Sequence, residues 1–312
     1  MPVDFRDRNR GTVLLMKAAL LAIGLVVTGC KSSQSGSPRI DPVLAALVPG
    51  DTIMLTGVRM ADVRATATYA QLATQQRLSP LDDFAKSTNF DPRKDVTEML
   101  VASDGADSVV LARGNFKVQA TAELKKFEYK GVTIYGDGIG AYAIFDATTA
   151  AAGTDRAVRK AIDRKRSGGP GPTSLLDRAR ALPGSGQIWF VSNGWGTLPD
   201  LATGQGGNFA NVARVLKSLE SATATIDLRS GLDADIRGLC RTDPDAKMLS
   251  EALRGMVGLG RLSVPQDQPE LLRLFDGIKV EQTQRSVQLS LKIPPDLIDR
   301  LIKMTGSRPG RG

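Results

Sequence analysis

The chain has 312 residues, with 41 Lys and Arg against 33 Asp and Glu, two cysteines and no histidine. The missing imidazole excludes a Ser-His-Asp triad, a Cys-His pair, an HExxH zinc site and a histidine pH switch, which closes off most hydrolase chemistry. The formal charge of +8 raises nucleic acid as a partner, but only 2 Trp, 4 Tyr and 9 Phe are available to stack on bases. The apolar share of 42% suits a globular body of roughly two domains at ~150 residues each.

The first element in the chain is an address. Residues 18–27 form an uninterrupted apolar run, with Lys17 before it and Arg6, Arg8 and Arg10 further upstream. This is the n-region and h-region of a signal peptide. Ten helical residues reach only about 15 Å, half the hydrocarbon core of a bilayer, so the run is too short to span one. It ends in Val27-Thr28-Gly29-Cys30, which resembles the lipobox of bacterial lipoproteins, where small residues admit a dedicated signal peptidase and the cysteine thiol is linked to diacylglycerol. The resemblance implies cleavage after Gly29, acyl chains (palmitate and its like) on Cys30, and a cell-envelope protein anchored to a membrane with its body facing the periplasm or exterior. Loss of residues 1–29 leaves 37 Lys and Arg against 31 Asp and Glu, a charge of +6. Cys240 is then the only unlipidated thiol, which excludes an intrachain disulfide.

Residues 30–40, polar and small after the cysteine, read as a flexible tether, and 305–312 as a disordered basic tail. Between them lie two similar segments, 41–166 and 173–304, separated by a Gly/Pro linker at 167–172. Leu47-Val-Pro-Gly50 before the strand Thr52–Val58 is matched by Ala181-Leu-Pro-Gly184 before the strand Gln187–Asn193. Helices over 60–76 and 209–220 follow, the second with one apolar stripe from Phe209 to Leu219. Hairpins come next, 98–105 with 107–113 and 222–231 with 233–237, with Gly105 and Gly231 at one offset of 126. Helices are expected at 120–127 and 245–257, the latter capped by Asp243 with Pro244 at its first position. Each segment then closes with a hairpin, 131–135 with 141–145 matching 277–281 with 287–293, and a last helix, which in the first segment spans 154–166. The pattern predicts an α+β fold of two tandem, homologous domains, each with about five mainly antiparallel strands covered by helices.

Few residues point to chemistry. Gly136-Asp-Gly-Ile-Gly140 joins two strands and lacks the helix N-terminus of a phosphate loop. Asp104 with Asp107, and Asp243 with Asp245, are the close acidic pairs, at positions that turns and helix caps also favour. Cys240 reads as a buried strand residue rather than a nucleophile. No catalytic residue, metal ligand or cofactor follows from these patterns. The second segment carries an insertion, 194–208, with Trp195 between glycines and with Gly206, Gly207 and Asn208 leading into a helix, a candidate ligand or partner contact.

The stretches Leu47-Val-Pro-Gly-Asp-Thr52, Val58-Arg59 with Arg64 and Tyr69, Phe90–Asp95, Leu100–Gly105 and Leu253–Gly258 resemble a group of uncharacterised bacterial lipoproteins of similar length. That resemblance implies no activity and transfers no site residue. The expected function is a non-enzymatic, membrane-anchored binding or scaffolding protein whose partner is an envelope protein or polysaccharide and not nucleic acid. The alternative is an envelope enzyme with a carboxylate-based or metal-assisted site at Asp104 and Asp107 or near the 194–208 insertion. An enzyme requires convergent carboxylates in a pocket; a binder requires an exposed apolar surface.

Overall fold

A computed structural model of the chain describes residues 40–70, 91–116, 125–137, 140–168, 171–184, 186–194, 218–266 and 268–306. The first segment supplies α1 (Pro42–Leu47), β1 (Met54–Val58), α2 (Met60–Arg64), α3 (Pro92–Asp95), β2 (Val96–Ser103), β3 (Ser108–Gly114), β4 (Lys125–Tyr129), β5 (Val132–Gly136), β6 (Gly140–Asp146), β7 (Thr149–Thr154) and α4 (Asp155–Ser167). The second supplies α5 (Thr173–Arg180), β8 (Ile188–Ser192), β9 (Leu219–Asp227), β10 (Leu232–Cys240), α6 (Asp243–Leu262), α7 (Pro269–Asp276), β11 (Ile278–Thr283), β12 (Ser286–Ile293) and α8 (Pro295–Gly306). The fold is α+β, as expected. The twelve strands among the described residues form one antiparallel sheet in the order β11-β12-β10-β9-β8-β1-β2-β3-β7-β6-β5-β4.

Local chemistry starts the helices where the sequence directs. Asp41 caps α1, its carboxylate accepting from the Val43 and Leu44 amides at 2.8 and 3.1 Å, with Pro42 pre-set for the first turn. In α4 the Thr154 hydroxyl accepts from the Ala157 amide, Asp155 pairs with Arg159 one turn on, and Arg164, Lys165 and Arg166 face the carbonyl end. Its buried stripe is Ala157, Val158, Ala161 and Ile162. These residues join Leu44 and Leu47 of α1 and Leu175, Leu176 and Ala179 of α5 over Leu55, Leu100, Leu111, Trp189 and Val191, the core of one face of the sheet.

The two segments meet at β1 and β8. Their register pairs Met54 with Ser192, Thr56 with Phe190 and Val58 with Ile188. Thr56 and Phe190 are 134 residues apart, the same interval that separates Pro49-Gly50 from Pro183-Gly184, so the strands that follow the two Pro-Gly turns pair antiparallel about a local two-fold axis. The pairs flanking that axis on the core face differ. Leu55 opposes Val191, whereas Gly57 opposes Trp189, whose indole is 2% exposed and lies where a side chain on Gly57 would be.

Beyond this seam the segments diverge. β3 neighbours β7, and β10 neighbours β12, so the hairpin β6–β7 with α4 corresponds to β11–β12 with α8, one strand later than the sequence match of 131–145. Among the described residues the first segment contributes seven strands. Helix α4 covers the first face, but α8 packs through Leu297 and Ile298 on Leu232, Ala234 and Ile293 of the second. The patterning explains the change: apolar residues in β6 and β7 (Ala141, Ala143, Ala151) point to the first face, and those in β12 (Val287, Leu291, Ile293) to the second. One lateral row of register partners on that second face crosses every strand, from Lys126 through Tyr135, Tyr142, Ala152, Val110, Val101, Thr56, Phe190, Ala224, Ile236 and Leu289 to Val280. It extends about 53 Å, and none of its residues is fully buried.

Several expected elements are corrected. Phe127, expected at the end of a helix, lies in β4, and Leu219 and Glu220, expected to end another, begin β9. The helix from Met60 is broken at Ala65 and Thr66, and residues 67–70 are helical again. Helix α6 is capped by Thr242 rather than Asp243 and runs through Gly258 and Gly260 to Leu262.

Candidate functional site

The acidic pairs are occupied by the fold. Asp104 sits in the β2–β3 turn, where Gly105 takes φ 94°. One carboxylate oxygen accepts from the Ala106 and Asp107 amides at 2.9 and 2.8 Å, and the other from the Lys160 ammonium at 2.6 Å. Burial works to raise its pKa, but these hydrogen bonds outweigh burial and hold it at about 2. Lys160 also reaches Asp51 at 2.6 Å, and Arg156 pairs with Asp107. The cluster clamps α4 to the turn. At the start of α6 the Thr242 hydroxyl accepts from the Asp245 amide at 3.2 Å and donates to its carboxylate at 2.7 Å, a reciprocal cap.

The remaining sequence candidates fall into place or outside the described residues. Asp137 accepts from the Gly140 amide at 2.9 Å, closing the turn between β5 and β6. Cys240 is wholly buried at the end of β10, and burial pushes its thiol above the ordinary range. Cys30, Trp195, Gly206, Gly207 and Asn208 lie outside the described residues. Among the described residues no group of three or more Cys, Asp or Glu could hold a metal ion, and no helix is long and apolar enough to cross a membrane.

Sequence reasoning did not single out two features. The first is a group at the start of β2: Glu98 accepts from the Asp41 amide at 2.9 Å, Asp41 lies 3.3 Å from Arg113, and burial raises the Glu98 carboxyl above its usual range. It ties α1 to the sheet. The second is the outer side of α6. Ala246, Leu249 and Leu253 face Cys240, Val287 and Val280 in the sheet. On the opposite side, Met248, Ala252, Gly255, Leu259 and Leu262 fall within an arc of about 80°. Met248 is 51% exposed, Leu259 55% and Leu262 84%. Lys247, Glu251, Arg254 and Arg261 lie along one flank of this stripe. Helix α7 packs beside α6 away from this stripe, with Phe275 against Gly260. The seven-residue spacing of Met248, Gly255 and Leu262 was legible in the sequence, but glycine at its centre hid the stripe.

No protein-family model matches the chain, and no curated protein matches it. Solved structures do. Crystal form I of the protein TP0453 is similar at 9% identity with a TM-score of 0.45, covering 86% of this chain and 98% of that one. Crystal form III is similar at 10% identity with a TM-score of 0.49, covering 86% and 99%.

Proposed function

We propose that the chain is a bacterial envelope lipoprotein, held on a membrane through Cys30, that works by binding a second envelope protein along the outer side of α6 rather than by chemistry of its own. The observation that carries this reading is the exposed aliphatic stripe of Met248, Leu259 and Leu262 on a helix whose other side already packs on the sheet. An aliphatic surface suits a protein partner better than a polysaccharide, because it offers no aromatic ring to a sugar face. The acidic pairs that an enzyme would use serve a turn, an ion-pair clamp and a helix cap.

The test places a photo-crosslinking residue at position 259, and separately at Lys279 on the opposite face of the sheet, in the protein within native envelopes. The expected result is one discrete protein adduct from position 259, absent from Lys279 and lost with Met248→Ser/Leu262→Ser. A bare α6, or equal adducts from both positions, would overturn the binding reading. Mass spectrometry of the N-terminal peptide checks the anchor; an unmodified Cys30 thiol would refute it.

A further inference from the structure

The positive charge of the body is concentrated. Residues 125–168 hold nine Lys and Arg against five Asp and Glu, a net +4 out of the +6 that remains after residue 29. In the fold four of these cations, Lys130, Arg164, Lys165 and Arg166, gather where the end of α4 meets the β4–β5 hairpin. There Lys130, Asp163, Arg164, Arg166 and Ser167 line an open cleft of about 520 Å³. Lys130 lies 2.5 Å from Asp163, and Arg166 donates to the Lys130 carbonyl at 2.6 Å. Lys165 sits over the Phe145 ring, 4.8 Å from its centroid. Lys130, Lys165 and Arg166 are exposed. A helix C-terminus carries roughly half a negative charge, so three consecutive cations exceed what the end of α4 needs.

The same end of the molecule receives the chain from its N-terminus. Helix α1 packs on α4, Arg164 reaches the Ala46 carbonyl at 3.4 Å, and Ile40 packs against the core under these helices. Ten residues separate Cys30 from Ile40, at most about 35 Å of chain.

We propose that this basic end, Lys130 with Arg164, Lys165 and Arg166, docks on the anionic phosphate headgroups of the bilayer in which Cys30 is anchored; the idea rests on the lipid-anchor reading above. Acyl chains and a polybasic surface then act together, the chains holding the protein at the bilayer and the cations fixing its orientation. Arginine forks suit phosphate oxygens, and Asp163 offsets one of the four charges. Helix α6, on the other segment and the other face of the sheet, stays free for a partner.

The test is co-flotation of the full-length chain with vesicles of phosphatidylcholine alone and with 30% phosphatidylglycerol added. The readout is the ratio of the two partition coefficients, in which the contributions of residues 18–27 and of any acyl chain cancel. Each cation near an anionic surface contributes about fivefold at low salt, so Arg164→Gln/Lys165→Gln/Arg166→Gln is expected to lower the ratio about 100-fold. The charge-conserving Arg164→Lys/Lys165→Arg/Arg166→Lys should keep it, which separates charge from misfolding. Arg241→Gln/Lys247→Gln/Lys279→Gln, with the same charge removed elsewhere, should change it much less. An unchanged ratio in the first variant, an equal fall in the last, or loss of binding to single-stranded RNA with the bilayer ratio intact would overturn the proposal. An unlipidated Cys30 would refute the anchor and leave this ratio as measured.

Discussion

Substituting Gly57 tests whether the β1–β8 seam is a packed interior joint. A Cβ on Gly57 would lie 2.1 Å from Trp189 Cε2, 2.2 Å from Cζ2 and 2.4 Å from Nε1. Carbon atoms settle near 3.5–4.0 Å, so an opening of about 1.4 Å is required. The indole cannot supply it by swinging outward, since it is 2% exposed, and the backbone is held in register with Leu100 on one side and Trp189 on the other. Gly57→Ala is therefore expected to cost about 2–3 kcal/mol, the upper part of the overpacking range. Trp189→Leu removes the obstacle and leaves a gap, at a cost of about 2–4 kcal/mol. In the double variant alanine fills part of that gap, so its cost should fall short of the sum by at least about 1 kcal/mol. Urea unfolding followed by far-ultraviolet circular dichroism measures all three. Strict additivity, or a Gly57→Ala protein as stable as the parent, would refute the joint as described.

Two further predictions concern α6 and the β2–β3 turn. A Cβ on Gly255 or Gly258 meets nothing within 4 Å, whereas one on Gly260 would lie 2.5 Å from Phe275. Alanine at either of the first two positions should stabilise the protein by about 0.5–1 kcal/mol, and Gly260→Ala should destabilise it, as thermal melts would show. Asp104 is held at about 2 against an ordinary 3.8, so its contribution is present above pH 4 and disappears as pH falls toward 2. Allowing for screening at its solvent-facing side, that contribution is about 1–2 kcal/mol. Lys160→Met should flatten the wild-type loss of stability between pH 4 and 2, and parallel curves would count against the clamp.

The legible part of the fold was that governed by local rules. The Thr154 cap with the Arg164–Arg166 end delimits α4 to within a residue, and Gly105 and Gly231, at φ 94° and 113°, mark the two matching turns. Alternation of Val287, Leu289, Leu291 and Ile293 gave β12 its buried face. Strands β4 and β7 were not legible because neither carries a local strand signal. Thr149-Ala-Ala-Ala-Gly-Thr154 favours helix on propensity and becomes a strand only because β3 and β6 pair with its two edges. Lys125-Lys-Phe-Glu-Tyr129 is a charged edge strand, whose composition discourages further pairing. At the site level Asp104 holds the turn that its sequence position suggests, whereas the cap of α6 falls to Thr242 in place of Asp243. The outer side of α6 is hidden in the sequence because Gly255 interrupts its stripe and the same helix carries a second apolar side toward the sheet.

The seam also fixes an order of events in the life of the chain. Strand β1 leaves the ribosome 134 residues before β8, the strand that completes its pairing. In an exported chain β8 also crosses the membrane after β1, and until it arrives one edge of β1 has only solvent or a stranger to pair with. Five residues make a short template, and Gly57 offers no side chain to a wrong neighbour. The indole of Trp189, arriving last, fits that vacancy and so distinguishes the correct mate from a second nascent copy, whose own β1 would bring no indole to it.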